Sequence, residues 1–305
     1  MIRFRLGTRG SPLALTQAAM VRAALCAAHG WRDDEIETVV IRTTGDRVQD
    51  RALAEIGGKA LWTKELDRAL GEREIDCAVH SMKDVETIRP ESIQIAAMLP
   101  RADVRDRLIG AAAIADLRPG AVVGTSSPRR RAQLLRLRPD LSVVLFRGNV
   151  DTRLAKLDSG EADATLLAAA GLDRLGRSVG HAISTEEMLP APAQGAVGIE
   201  VRADDEIAQV IVGAIDYPAT SCCVRTERAL LAALGADCHS PVAALASLSG
   251  QMLTLRAELL AEDGSDHVAG RAEGTDGATL GTALAAELLT RAPTAVRQLF
   301  CPPAN

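Results

Sequence analysis

Two stretches of this chain share one pattern. LGTRGSPLALTQ (Leu6 to Gln17) and VGTSSPRRRAQ (Val123 to Gln133) both run from an apolar strand end through Gly-Thr and Ser-Pro into a helix-like segment. Serine before proline is a helix-start signal, because the hydroxyl caps the first turn and the proline ring presets φ where no N–H is needed. In the second stretch Val122 and Val123 end a buried strand, Gly124 to Ser127 turn, Ser127 is the N-cap and Pro128 opens the helix. Two such corners predict two similar α/β domains. A helix N-terminus favours anions, and each corner sets arginine beside one: Arg9 in the first, Arg129, Arg130 and Arg131 in the second. Guanidinium forks suit carboxylate or phosphate, so the second corner reads either as a site for a multiply negative ligand or as a solvated basic helix face. Arg131 fits the site least, since three successive helix positions cannot face one way.

The rest of the first two hundred residues keeps the α/β alternation. IETVVIRT (Ile36 to Thr43), DCAVHS (Asp76 to Ser81), SVVLFRG (Ser142 to Gly148) and DATLLAA (Asp163 to Ala169) read as buried strands. The proline-bearing segments MLPRADVRD (Met98 to Asp106) and MLPAPAQGAVG (Met188 to Gly198) are where the chain crosses between the domains and back, which predicts a hinge and a cleft. Strand carboxyl ends face such a cleft, bringing both anion sites to it. After about residue 216 the texture changes to a helix over Ala219 to Leu234, the alternating runs PVAALASL and QMLTLRAELL, and the helix TLGTALAAELL: a smaller α+β domain. The expected division is residues 1–99 with 196–215, 100–195, and 216–305. The polar, glycine-bearing stretch Thr44 to Trp62 reads as a lid or as an ordinary surface loop.

Composition narrows the function. At 305 residues, with 47% hydrophobic and 25% charged residues, the chain has core enough for two or three soluble domains. A net charge of −5 and only 2% aromatics argue against nucleic acid as partner. Lysine occurs only at Lys59, Lys64, Lys83 and Lys156, so arginine count reflects composition and arginine position carries the meaning. Cys26, Cys77, Cys222, Cys223, Cys238 and Cys301 show neither disulfide nor zinc spacing, and no HExxH, GxGxxG or P-loop is present; reduced thiols and no metal are expected. With no apolar run of signal-peptide or membrane-spanning length, the expectation is a cytoplasmic protein without a membrane partner.

The chemistry-bearing residues sit at strand ends. AVHSMKDV ends a strand at His80 and then offers Ser81, Lys83 and Asp84 in one turn. Asp84, kept ionised by nearby cations, would stabilise a developing cation, or it only caps the turn; His80 reads as a packed strand residue. LFRGNVDTRL sets Arg147 before and Arg153 after another corner, and Arg174 follows in AGLDRLG, so three corners of one domain carry arginine. LGADCHSPVAAL puts Cys238 in a loop fixed by Pro241, either reactive or inert, whereas Cys222 and Cys223 lie within a helix and read as structural.

These motifs, with TTGDR, GGKALWTKELDRAL, RGNVDTRLAKLDSGEADATLLAAAGLDRLG, PAQGAVGIE and TERALLAALGADCHSPVAALA, run in the order found in one family: nearly the whole chain resembles the porphobilinogen deaminases. The resemblance implies two α/β domains like those of periplasmic solute-binding proteins, with a third domain carrying the cofactor cysteine. It implies a dipyrromethane held by a thioether on Cys238, a catalytic carboxylate at Asp84, and stepwise addition of porphobilinogen with loss of ammonia. Four additions and hydrolysis release hydroxymethylbilane for haem biosynthesis, and the primer stays behind. Arg129, Arg130, Arg147, Ser81, Lys83, Thr125, Ser126 and Ser127 match cofactor-binding positions; Arg9, Ser11, Arg153, Arg174 and Gln194 match substrate-binding ones. A monomer is expected, and the segment around Lys59 corresponds to a mobile one in the family. Two departures stand out. Ala236-Asp237 precede Cys238 where the family commonly has two glycines, and the added carboxylate should disfavour the thiolate; Pro128 replaces an apolar residue and suits its position. The competing readings are a non-catalytic carboxylate-binding protein, which leaves Asp84 and Cys238 idle, and a phosphate-ester enzyme, which lacks its loop or metal signature.

Overall fold

The computed structural model describes residues 2–41 and 63–300. Both Ser-Pro corners form as the sequence predicts. Strand β1 (Phe4–Arg9) leads through the N-cap Ser11 into α1 (Pro12–His29), and β6 (Val122–Gly124) leads through the N-cap Ser127 into α3 (Pro128–Leu137). Each serine hydroxyl accepts from the third helical N–H, of Ala14 and of Arg130.

Each corner follows the strand next to one edge of a five-stranded mixed sheet. The first has the order β2 (Ile36–Ile41), β1, β3 (Cys77–Ser81), β10 (Val197–Arg202), β4 (Ile93–Met98); β1 is parallel to both neighbours and β10 antiparallel to both of its own. The second has the order β7 (Ser142–Val144), β6, β8 (Ala164–Ala168), β5 (Asp106–Ile109), β9 (His181–Ala182), with β6 parallel to its neighbours and β5 antiparallel. The two sheets therefore correspond strand for strand. Their antiparallel members, β5 and β10, are each the first strand laid down after the chain leaves the other sheet. Contacts divide the chain into two compact units, one running to Ala102 and resuming over Gly195–Ser221, the other comprising Asp103–Gln194 and the chain from Cys222 onward.

In the first unit Phe4, Leu6, Val79 and Ile199 pack under Val21 and Leu25 of α1, while Ala78 and Ile75 on the other face meet Leu66 and Leu70 of α2 (Lys64–Gly71). Burial on both faces is why these central strands read as continuous apolar runs. In the second sheet the strand read over Ser142 to Gly148 stops at Val144. The reason is Phe146, which turns down over Gly124, where a Cβ would stand 2.3 Å from the ring. Leu145 is left 54% exposed by the same turn.

The third expected region also forms. After α4 (Val150–Asp158), α5 (Ala169–Arg174) and α6 (Glu206–Gly213), α7 (Pro218–Leu234) precedes an antiparallel sheet, β11 (Val242–Ser249), β12 (Met252–Leu260) and β13 (His267–Gly274), followed by α8 (Gly277–Arg291). It has its own core, with Leu230, Leu253, Leu255, Leu284 and Leu288 all at or near zero exposure. Cys223 is buried there and Cys222 packs against it, consistent with structural roles. The expected architecture, two similar α/β parts and a smaller α+β part, is the one observed. The lid reading over residues 44–62, with Lys59, and Cys301 lie outside the described residues.

A buried carboxylate fastens the third region to the segment by which the chain leaves the second sheet. Glu227 on α7 accepts from the backbone N–H of Ala193 (2.6 Å) and of Ala246 (2.7 Å). Ala193 has φ of 62°, a left-handed value that a non-glycine residue adopts only when held. Glu227→Ala would strand two buried donors and is expected to cost about 2–4 kcal/mol. Urea unfolding should show that loss, with Glu227→Gln, which keeps one acceptor, losing less.

Candidate functional site

At the first corner a pocket opens at the carboxyl ends of β1 and β3, lined by Arg9, Ser11, Gln17, His80, Ser81 and Asp84 among others. Asp84 ends a single 3-10 turn, Met82–Asp84, that follows β3 directly. That turn is seated from below: Met82 is buried, its N–H donates to Ala196 (3.1 Å), and its thioether lies against Gly198, where any Cβ would collide with the sulfur. Gln17 donates to the Ser81 hydroxyl at 2.7 Å and is itself buried. The structure thus brings Arg9, Ser11, Ser81 and Asp84 to one concavity, with Lys83 in the same turn. His80 is buried and faces Glu200 at 3.1 Å, in keeping with a packed strand residue.

The second corner has turned its arginines inward. Arg129 and Arg130 are 3% and 5% exposed, whereas Arg131 is exposed and reaches the Val143 carbonyl. Arg129 donates through Nη2 to one oxygen of Asp106 (2.8 Å) and through Nη1 to Gln133 and the Leu189 carbonyl. Arg130 donates to the other Asp106 oxygen (2.7 Å) and to the Leu166 carbonyl. Gln194 adds a third donor to Asp106 at 2.9 Å. Burial opposes charge on Asp106, but the two guanidinia outweigh it and hold the carboxyl far below the usual range. Burial pulls Arg129 below the ordinary arginine value, with Asp106 opposing. The Nε–H groups of both arginines are buried without a partner.

The remaining groups expected from the second and third regions belong to the same unit. The Thr125 hydroxyl accepts from the Ser127 N–H, and the Ser126 hydroxyl accepts from Arg153, whose Nε donates to Gly148. Arg147 stands just beyond β7 with its Nη1 buried and unpartnered, and Arg174 ends α5 (Ala169–Arg174), its pKa lowered by burial. From the third region Glu258 on β12 accepts from Gln133 (3.0 Å) and pairs with Arg136 (3.0 Å), so Arg129 is linked through Gln133 to that domain's sheet. Cys238 is exposed in the loop after α7. The Asp237 carboxylate there accepts from the His239 N–H (2.8 Å), and the Asp237 N–H donates to Ser240.

Three polar residues of these sites escaped the sequence reading. Gln17 and Gln133 each stand six residues past the capping serine, on the buried face of their helices; a glutamine within an apolar stripe was the available signal. Asp106 gave none, as its partners lie 23 and 24 residues along the chain.

Because Asp106 has a depressed folded pKa, its contribution is present at neutral pH and is lost as pH falls below about 4, the ordinary aspartate value, toward the folded value. Urea unfolding at pH 7, 4 and 3 should show the parent protein losing stability across that window. Asp106→Asn should be weaker at pH 7 and less steeply pH-dependent below 4.

Comparison with known proteins adds the chain's relatives. Residues 4–210 match the family model described as "Porphobilinogen deaminase, dipyromethane cofactor binding domain", and residues 221–290 match "Porphobilinogen deaminase, C-terminal domain". A porphobilinogen deaminase of Sphingopyxis alaskensis is 57% identical over 303 residues, covering 97% of this chain and 96% of that protein. One of Paracoccus denitrificans is 54% identical, covering 95% and 94%. Among solved structures, a periplasmic substrate-binding protein of an ABC transporter from Coxiella burnetii aligns with a TM-score of 0.42 at 14% identity, over 72% of this chain and 94% of that one. With both family models in sequence order and majority identity along nearly its whole length, the chain belongs to the porphobilinogen deaminase family.

Proposed function

We propose that this chain condenses porphobilinogen, with loss of ammonia, onto a dipyrromethane primer bound through Cys238, and releases hydroxymethylbilane by hydrolysis. The observation that carries the site assignment is the charge balance at the second corner. Two buried guanidinia share one Asp106 carboxylate, which leaves one positive charge in excess, with Nε of Arg129 and Arg130 and Nη1 of Arg147 buried and unpartnered. A buried excess of cation with vacant donors calls for an anion. The acetate and propionate groups of linked pyrroles are such anions, and an exposed loop thiol at Cys238 suits covalent attachment, so the residues present fit the cofactor.

When bound, the dipyrromethane supplies the nucleophilic pyrrole carbon of the primer. The chain's own groups do the rest. Arg129, Arg130 and Arg147, with Thr125, Ser126, Ser127, Ser81 and Lys83, bind the primer's carboxylates. Arg9, Ser11, Arg153 and Arg174 orient the incoming substrate's acidic side chains by charge-assisted hydrogen bonds, and Gln194, which donates to Asp106 and to the Val104 carbonyl, serves the substrate indirectly by holding that carboxylate. Asp84 accepts hydrogen bonds from pyrrole N–H groups and stabilises the cation that develops as ammonia departs. Because it sits on a turn rather than deep in the sheet, it can face a ring. Residues 1–99 with 196–215, 100–195, and 216–305 are the working domains of this scheme. The enzyme acts as a cytoplasmic monomer, a reducing compartment keeping Cys238 a thiol until attachment.

Intact mass of the purified protein should exceed the sequence mass by a dipyrromethane adduct, and Cys238→Ser should lack it. An equal mass in both would remove Cys238 from its role. Asp84→Asn should keep the fold and lose most turnover, and near-normal turnover would refute the assignment. Arg147→Leu, at a half-buried site with a vacant donor, should lower kcat/KM about 10-fold to 100-fold with little change in thermal midpoint.

A further inference from the structure

Immediately beyond Asp84 the chain enters a second buried charge cluster, separate from the arginines that bind carboxylates. Arg89, its side chain 8% exposed, grips both oxygens of Glu200 on β10 through Nε and Nη2 (2.8 and 2.9 Å). The same guanidinium donates to Glu86 through Nη1 (2.6 Å) and to Asp67 on α2 through Nη2 (2.5 Å). The hydroxyl of buried Thr63 donates to Glu86 at 2.8 Å, and His80 Nε2 lies 3.1 Å from Glu200. Burial opposes charge on Glu200, yet His80 and Arg89 keep it at about 2, while burial raises Asp67 above the usual value.

Three carboxylates around one guanidinium are a poor way to gain stability, because desolvation consumes most of the attraction and an apolar filling often does as well. Their geometry, however, is highly constraining. Glu86 and Arg89 lie two and five residues past Asp84. On the other side Met82 is clamped by the Ala196 carbonyl and by Gly198. Asp84 hangs between these two anchors on a single turn, closed by the Val85 N–H to the Met82 carbonyl at 3.3 Å. A hydrogen bond that long does not by itself orient a carboxylate, and the anchors on either side fix where the turn sits.

We propose that Arg89 is a positioning residue for Asp84: by tying Glu86 and its own backbone to Glu200 and Asp67, it holds the far end of the turn and so aims the carboxylate. The proposal rests on Asp84 being the catalytic carboxylate. Arg202 provides a matched control. It lies on β10 as Glu200 does, is buried, and bonds the Leu70 and Ile75 carbonyls and Asp205, none of which belongs to the Asp84 strap.

Steady-state kinetics and thermal midpoints are compared for Arg89→Gln and Arg202→Gln, each also made in an Asp84→Asn background. Arg89→Gln is expected to lower kcat about tenfold or more with KM within about twofold, and Arg202→Gln to hold kcat within about twofold at a comparable loss of midpoint. In the Asp84→Asn background Arg89→Gln should cost no further turnover beyond about twofold, the mark of two residues acting as one unit. Unchanged kcat in Arg89→Gln, equal losses in the two arginine variants, or a full additional loss in the Asp84→Asn background would overturn the proposal. If Arg89→Gln does not fold, Arg89→Lys, which keeps the charge without the fork, runs the same cycle with a smaller expected loss. Near-normal turnover in Asp84→Asn alone overturns the reading beneath the proposal, and is told apart by that single variant.

Discussion

The interaction on which the second unit depends is the sharing of one buried aspartate by two buried arginines. Asp106 opens β5, the strand laid down as the chain enters that sheet, and its two oxygens receive Arg129 and Arg130 from the first turn of α3. The pair fixes the corner's rotation as well as its charge, since each guanidinium also closes on a carbonyl, of Leu189 or of Leu166. Gln194, at the end of the second crossing, joins the same carboxylate. The segments by which the chain enters and leaves this α/β part are thus stitched to one anion, and Gln133 extends the network to Glu258 in the third region.

The two corners are alike in backbone and opposite in electrostatics. Both have a serine cap, a proline opening and a buried glutamine six residues on. In the first, Gln17 reaches Ser81 and the pocket stays half-open around Arg9 and Asp84. In the second, Gln133 reaches Arg129 and the arginines are internal. In the proposed function one corner presents a carboxylate to a reacting ring and the other holds carboxylates already attached. A single shared pattern supplies the geometry, and the charge is set by Asp84 from the turn after β3 at one corner and by the arginines after Ser-Pro at the other.

Local chemistry was the most legible part of the chain. Helix starts at Pro12 and Pro128 follow from capping, which needs only neighbours in sequence, and the parallel strands follow from continuous apolar runs. The antiparallel strands β5 and β10 escaped notice because each lies inside or just beyond a crossing segment and takes its partners from distant chain. The strand read through Phe146 was cut short by a tertiary contact with Gly124 that no window of sequence contains. Asp84, Cys238 and the arginines were legible as motif residues, but not that Arg129 and Arg130 would be buried against Asp106. Nor was Arg89, which sits in a polar stretch with no period and draws its meaning from Glu200, 111 residues away.

Charge is unbalanced in both units, in opposite senses, and the imbalance tracks the task. Beside Asp84, Arg89 meets three carboxylates, and the excess of negative charge falls on groups that face one another and the sheet rather than the pocket. Beside Arg129 and Arg130 the excess is positive, and vacant N–H groups remain. A buried excess of either sign is costly, so it persists only where a partner or a geometric demand offsets it. At the arginines the proposed offset is a ligand carboxylate. At Arg89 no vacant guanidinium donor is left for a ligand, and the cost instead sustains the rigidity of a one-turn strap. Asp84, the carboxylate proposed as catalytic, can then sit on a short, half-exposed turn without moving as freely as such a turn otherwise would.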